Sequence, residues 1–128
     1  QRAIAALLTD LELVESDLVL AGFSQGGMMS LHCGLRLQPA PAAIVSFSGA
    51  LLHYADLSTC SETSYPPVQL IHGTDDQVVP FELMAEAAEV LNRLGVTVET
   101  AEQLGCGHGI DPDGLSASIK FLVAHIVT

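Results

Sequence analysis

Gly22-Phe23-Ser24-Gln25-Gly26-Gly27 lies between a compact apolar run, Leu18-Val19-Leu20-Ala21, and a helix-like segment from Met28 to Leu37. That context decides the reading. A strand that enters a very tight turn and leaves it as a helix holds the central Ser in a strained conformation. Its hydroxyl is then exposed at the strand's carboxyl end. Gly22 and Gly26 carry no Cβ, so strand and helix are expected to approach closely. The helix N-terminus brings unpaired N–H groups and a positive dipole end, suited to a developing oxyanion. The plain alternative is a Ser in a glycine-rich βα turn or a phosphate loop. No Gly-Lys-Ser/Thr follows, which argues against the phosphate loop.

Outward from this turn the chain alternates strand and helix. Upstream, Arg2 to Leu8 reads as a short helix and Asp10 to Ser16 as a connection. Asp17 to Ala21 reads as a strand buried on both faces, from its continuous apolar character. Downstream, a helix runs from Gly26 to Leu37 and ends at Gln38-Pro39-Ala40-Pro41. Ala43 to Phe47 is a second buried strand, and Ser48 to Pro67 a long polar connection. Val68 to Ile71 is a third strand, followed by the loop His72-Gly73-Thr74-Asp75-Asp76. Val79-Pro80 is expected to open a helix, with Pro at its first position. The apolar stripe of that helix is Met84, Ala87, Ala88, Leu91 and Leu94, and Gly95 stops it. Val96 to Ala101 is a fourth strand, polar enough for a sheet edge. Asp111-Pro112 caps a last helix whose expected apolar face is Leu115, Ile119, Leu122 and Ile126. The alternation implies an α/β fold, a mostly parallel sheet with helices on both faces.

Composition narrows the function. The 128 residues are 49% hydrophobic, enough for one domain or part of one with a buried core. A net charge of −11 with only four basic residues argues against nucleic acid and against anionic membrane surfaces. No run reaches transmembrane length, so no stable membrane insertion is expected. Cys33, Cys60 and Cys106 form no CxxC pair, which reads as free thiols in a reducing compartment such as the cytoplasm.

Functional residues of an open parallel sheet gather at the carboxyl ends of its strands. There Ser24, Asp75 or Asp76, and His108 follow separate strands and open on one side. A Ser hydroxyl needs a base to take its proton, and a His with ordinary pKa can take it and return it. A carboxylate fixes the imidazole tautomer and stabilises the imidazolium. The order Ser, acid, His is that of α/β-hydrolases. Plain alternatives stand beside each. An Asp in Gly-Thr-Asp-Asp also braces turns, and His108, between Gly107 and Gly109, also suits an ordinary surface loop. His72 is expected to brace the turn at Gly73, and Phe23 to pack beneath the serine turn. His72, Asp75 and His108 could ligate a metal by residue type, but no tight spacing supports it, so no metal is expected.

The sequence resembles the α/β-hydrolase superfamily, and within it the phospholipase/carboxylesterase family that includes the acyl-protein thioesterases. The resemblance rests on Ala21 to Gly27, Ser46-Phe47-Ser48-Gly49, His72 to Pro80 and Gly107-His108-Gly109, in order and over nearly the whole chain. It implies a nucleophile at Ser24, a base at His108, an acid at Asp76 and an oxyanion donor at the Gln25 N–H. It further implies cleavage of a small-molecule ester or thioester through an acyl-Ser24 intermediate, without a cofactor. Lactone hydrolysis and acyl transfer would share these residues. Leu51, Leu52, Tyr54 and Leu57, in the polar connection, could line an acyl pocket or a lid, packing against the sheet being the commoner fate of such residues. One departure is marked. The family's chain begins about ninety residues earlier, judged from a domain of ordinary size, and those early strands carry a second oxyanion donor. Residues 1–128 are therefore expected to form a partial α/β-hydrolase domain, its serine strand left with an unpaired edge that favours a homodimer. A non-catalytic fragment lacking the oxyanion loop is the reading from a different class.

Overall fold

The computed structural model describes residues 18–57 and 65–126. The expected helix at Arg2 to Leu8, the connection that follows it, the start of the first strand and Cys60 lie outside them. The strands are β1 (Val19–Phe23), β2 (Ala43–Phe47), β3 (Val68–Gly73) and β4 (Val98–Gln103). The helices are α1 (Gln25–Gly34), α2 (Glu82–Arg93) and α3 (Pro112–Ile126). All neighbouring strands pair in parallel, in the sheet order β1-β2-β3-β4.

Burial follows the apolar runs. Every residue of β2 and β3 is buried, as strands covered on both faces require. On one face, Leu31 and Leu35 from the α1 region and Met84, Ala87 and Leu91 of α2 pack on Ile44, Val68 and Leu70. On the other, Phe121 of α3 packs on Ala43, Val45, Phe47 and Ile71. Helices thus lie on both faces, as the alternation predicts. The α2 stripe is as expected, with Ala88 and Leu94 partly buried at its margin. Strand β4 pairs only with β3 among the described residues, which suits its polar sequence.

Four expectations need correction. Strand β1 is not buried on both faces, since Ala21 and Phe23 are exposed. Among the described residues it pairs on one side only, and α3 packs over β2, β3 and β4. Helix α1 ends at Gly34 rather than Leu37, because Arg36 and Leu37 both donate their N–H to the Cys33 carbonyl in a tight turn. Helix α2 begins at Glu82, not at Pro80. The Asp76 carboxylate draws in the N–H groups of Val78 and Val79 and winds the intervening residues into turns. In α3 the buried residues are Gly114, Ser118 and Phe121, and Leu122 packs against the same cluster as expected, whereas Leu115, Ile119 and Ile126 are exposed. Small residues let the helix lie close over the buried Gln103 at the end of β4, and that contact sets its rotation.

Candidate active site

Ser24 stands between β1 and α1 with φ 57° and ψ −116°. This is a left-handed φ for a residue with a Cβ, so the turn is strained. Two groups hold it there. The Ser24 N–H donates to the Phe47 carbonyl at the end of β2 (2.8 Å), and its own carbonyl accepts from Met28 N–H (3.0 Å) in the first turn of α1. A Cβ on Gly22 would run into the Gly26 carbonyl group, so residue 22 has to be glycine. Gly26 itself has open space where a Cβ would stand. Gly27, which lies against the Ser46 hydroxyl and the Gly22 carbonyl, is the second glycine the close approach needs.

Asp76 and His108 come from the loops after β3 and β4, and backbone contacts fasten these loops together. Thr74 N–H donates to the Gln103 carbonyl (3.1 Å), and Asp75 N–H to the Cys106 carbonyl (2.9 Å). Gly105 N–H donates to the Thr74 hydroxyl (2.8 Å). Gly73 passes so close to the carbonyls of Cys106 and Gly107 that no Cβ fits. Of the two aspartates, Asp75 is exposed and Asp76 buried, and Asp76 faces the histidine.

The side chains complete a chain of hydrogen bonds. Asp76 Oδ1 accepts from the N–H groups of Val78 and Val79, each at 2.8 Å. Asp76 Oδ2 accepts from His108 Nδ1 at 2.8 Å. Burial pushes the Asp76 carboxyl upward and is the largest single influence. His108, with the Val79 and Val78 N–H donors, outweighs it, and the net result lies below the ordinary carboxylate value. An ionised carboxylate only accepts, so His108 carries its proton on Nδ1 and leaves Nε2 as an acceptor. Nε2 lies 2.9 Å from Ser24 Oγ and receives its hydroxyl proton. Ser24, His108 and Asp76 therefore stand in the geometry of a serine-hydrolase triad.

His72 braces the turn as the sequence suggests. It is buried, and its Nε2 donates to the Val79 carbonyl at 2.8 Å, with Asp76 Oδ2 at 3.3 Å. Among the described residues, no group of three or more His, Cys, Asp or Glu could hold a metal ion. Phe23 does not pack beneath the turn. It is 37% exposed and its ring tilts against the His108 imidazole, 4.8 Å between centroids. Its place in sequence, next to Ser24, was the available signal for that role. Gln25 is the first residue of α1, so its N–H has no carbonyl four residues earlier within the helix. Leu51 packs in the core. Leu52 is exposed and lines a groove of about 280 Å³ with Met28, Met29, His32 and His53. With Leu51, Leu52 also borders a smaller cavity against α2, and no triad residue lines either space.

Comparison with known proteins bears on this arrangement. A family model described as Phospholipase/Carboxylesterase matches residues 2–126. Acyl-protein thioesterase 1 of Gibberella zeae is 36% identical over 117 residues, which are 88% of this chain and 50% of that protein. Esterase YpfH of Escherichia coli is 34% identical over 110 residues, 84% of this chain and 43% of that protein. The crystal structure of esterase PE8 superposes with a TM-score of 0.87 at 40% identity, covering 95% of this chain and 56% of that one. The chain spans about half the length of the curated relatives it matches.

Proposed function

The chain belongs to the phospholipase/carboxylesterase family, and on that premise we propose that it supplies the triad of a serine hydrolase acting on small carboxylic esters or thioesters. One observation carries the reading, the continuous path from Ser24 Oγ through His108 to Asp76 with links of 2.9 and 2.8 Å. In the proposed reaction His108 Nε2 takes the Ser24 proton as Oγ attacks the acyl carbonyl. Asp76 holds the imidazolium, and the Gln25 N–H at the head of α1 donates to the oxyanion. The tetrahedral adduct collapses, His108 protonates the departing alcohol or thiol, and acyl-Ser24 remains. Water, giving a proton to His108, then attacks the acyl carbon. Collapse breaks the bond to Ser24 Oγ, which recovers the proton, and the carboxylic acid leaves. The groove bordered by Leu52 and by Met28 and Met29, one turn along α1, is the proposed seat of the acyl chain.

The substrate is read as a small molecule. The net charge of −11 supports the exclusion of nucleic acid. Among the described residues no helix is long and apolar enough to cross a membrane. The free thiols of Cys33 and Cys106 support a reducing compartment such as the cytoplasm, and the pairing of β1 with β2 alone among the described residues supports a homodimer. Lactone hydrolysis and acyl transfer use the same triad and are separated from ester cleavage by product analysis. The reading from a different class is a non-catalytic structural or assembly piece. Fluorophosphonate labelling with intact mass and peptide mapping separates the two. One adduct on Ser24, lost in Ser24→Ala and suppressed in His108→Ala, is the expected result. A folded protein that takes no label would overturn the hydrolase reading.

A further inference from the structure

His108 stands between two glycines, and such a stretch has more backbone freedom than any other. Something outside it must fix the imidazole. Asp76 holds the ring itself, and a residue placed to hold the loop backbone beside it is Gln103, the last residue of β4, only 1% exposed. Its Nε2 donates to the Gly109 carbonyl at 2.8 Å, one residue beyond His108. Its Oε1 accepts from Asp111 N–H at 2.9 Å, at the head of α3. A weaker contact runs from Nε2 to Cys106 Sγ, 3.8 Å. Gly114 meets the same amide so closely that no Cβ fits there. The main chain of Gln103 is tied in as well, since its carbonyl accepts the N–H groups of Thr74 and Cys106, each at 3.1 Å. One buried amide therefore joins the histidine loop, the aspartate loop and the start of α3.

We infer that Gln103 is a positioning residue for His108, setting the Nε2–Ser24 and Nδ1–Asp76 distances through the Gly109 carbonyl. The inference rests on the hydrolase reading for its effect on rate, but not for its effect on the imidazole. A displacement of about 1 Å at a reacting group costs on the order of a hundredfold. Gln103→Met keeps the length and the packing and removes both hydrogen bonds. Gln69→Met is the matched control. Gln69 is also buried, and its Nε2 donates to the Ala117 carbonyl (3.2 Å) on α3, away from the histidine loop.

The test measures fluorophosphonate labelling rate at Ser24, kcat and KM on p-nitrophenyl butyrate, and the low-field Nδ1 proton of His108 in ¹⁵N-histidine spectra. In Gln103→Met, labelling and kcat are expected to fall about ten- to a hundredfold with KM within about twofold, and the Nδ1 proton to weaken or vanish. Gln69→Met is expected to leave all of these within about twofold of the parent. Gln103→Glu carries the test independently. Protonated, its carboxyl can still donate to Gly109 and accept from Asp111; ionised, it sets an acceptor against the Gly109 carbonyl. Its labelling rate relative to the parent is expected to drop as pH rises. A folded Gln103→Met or Gln103→Glu with parental rates and an unchanged Nδ1 proton at every pH overturns the inference. A parent that takes no label overturns the hydrolase reading, and the spectra alone then judge Gln103.

Discussion

The acid–base half of the site and the nucleophile half are built differently. The loops after β3 and β4 are fastened to each other by main-chain hydrogen bonds, and Asp76 is buried with every carboxylate oxygen satisfied. Strand β1, which leads into the serine turn, pairs only with β2 among the described residues. Ser24 keeps a strained φ of 57°, and Ala21 and Phe23 are exposed on the sheet face that α3 covers over β2 and β3. A strained turn persists when its surroundings over-determine it. Here the determination comes from β2, through Phe47, and from the glycines at 22 and 27. The difference teaches that electrostatic preorganisation is complete around Asp76, whereas the nucleophile depends on close backbone packing at an open edge.

The largest effect is expected on the preorganised side. Asp76→Asn offers Nδ1 a donor or a neutral acceptor in place of a carboxylate, which releases the tautomer that leaves Nε2 free. kcat on p-nitrophenyl butyrate should fall about ten-thousandfold, with Ser24 still present. The same variant tests stability. The Asp76 carboxyl is held below its ordinary value in the folded chain. Its contribution is therefore complete above about pH 4, the unfolded value, and is lost as pH falls through the lower folded value. The difference in urea midpoint between parent and Asp76→Asn should be flat near neutrality and shrink on acidification below about pH 4. A difference that grows there would contradict the assignment.

On the nucleophile side the expected effects are steric. A Cβ at Gly22 meets main chain, which cannot move aside as a flexible side chain would. Gly22→Ala should cost roughly 4 kcal/mol or more, read from thermal or urea unfolding. Gly26→Ala should do the opposite. Its Cβ position is open and the residue is helical, so stability should rise by about 0.5–1 kcal/mol. Equal losses at the two positions would break the contrast between the glycines.

How much of this was legible in the sequence follows the same division. β2 and β3 announce themselves as short, mostly apolar runs without polar alternation, because both faces are covered, even though Ser46, Gln69 and His72 are polar and buried within them. Ser24 was legible because strand, glycine and helix meet there. The separation of Asp76 from Asp75 needed the family's spacing and is explained only by the fold, which buries one and exposes the other. Gln103 was not legible. A single glutamine in a polar edge strand has no periodicity to mark it as buried, and its partners lie in loop main chain. The rotation of α3 was misread for the same reason. Large aliphatic residues suggested one face, while the contact of Gly114 with Gln103 selected another.

That misreading supplies the smallest expected effect and the last comparison. Phe121 is 2% exposed and Ile119 is 56% exposed on the same helix. Phe121→Ala should cost about 3–5 kcal/mol by leaving a cavity against β2 and β3. Ile119→Lys should change stability by no more than about 0.5 kcal/mol, because a lysine there remains in water. Sedimentation of the two proteins gives the variant a second use. Leu115, Ile119 and Ile126 form an exposed apolar strip on α3, on the sheet face where Ala21 and Phe23 of β1 are also uncovered. If a second copy covers that strip, Ile119→Lys shifts the protein toward monomer and its unfolding midpoint acquires a concentration dependence unlike the parent's. If the strip faces water, sedimentation is unchanged and α3 is no part of the proposed homodimer contact.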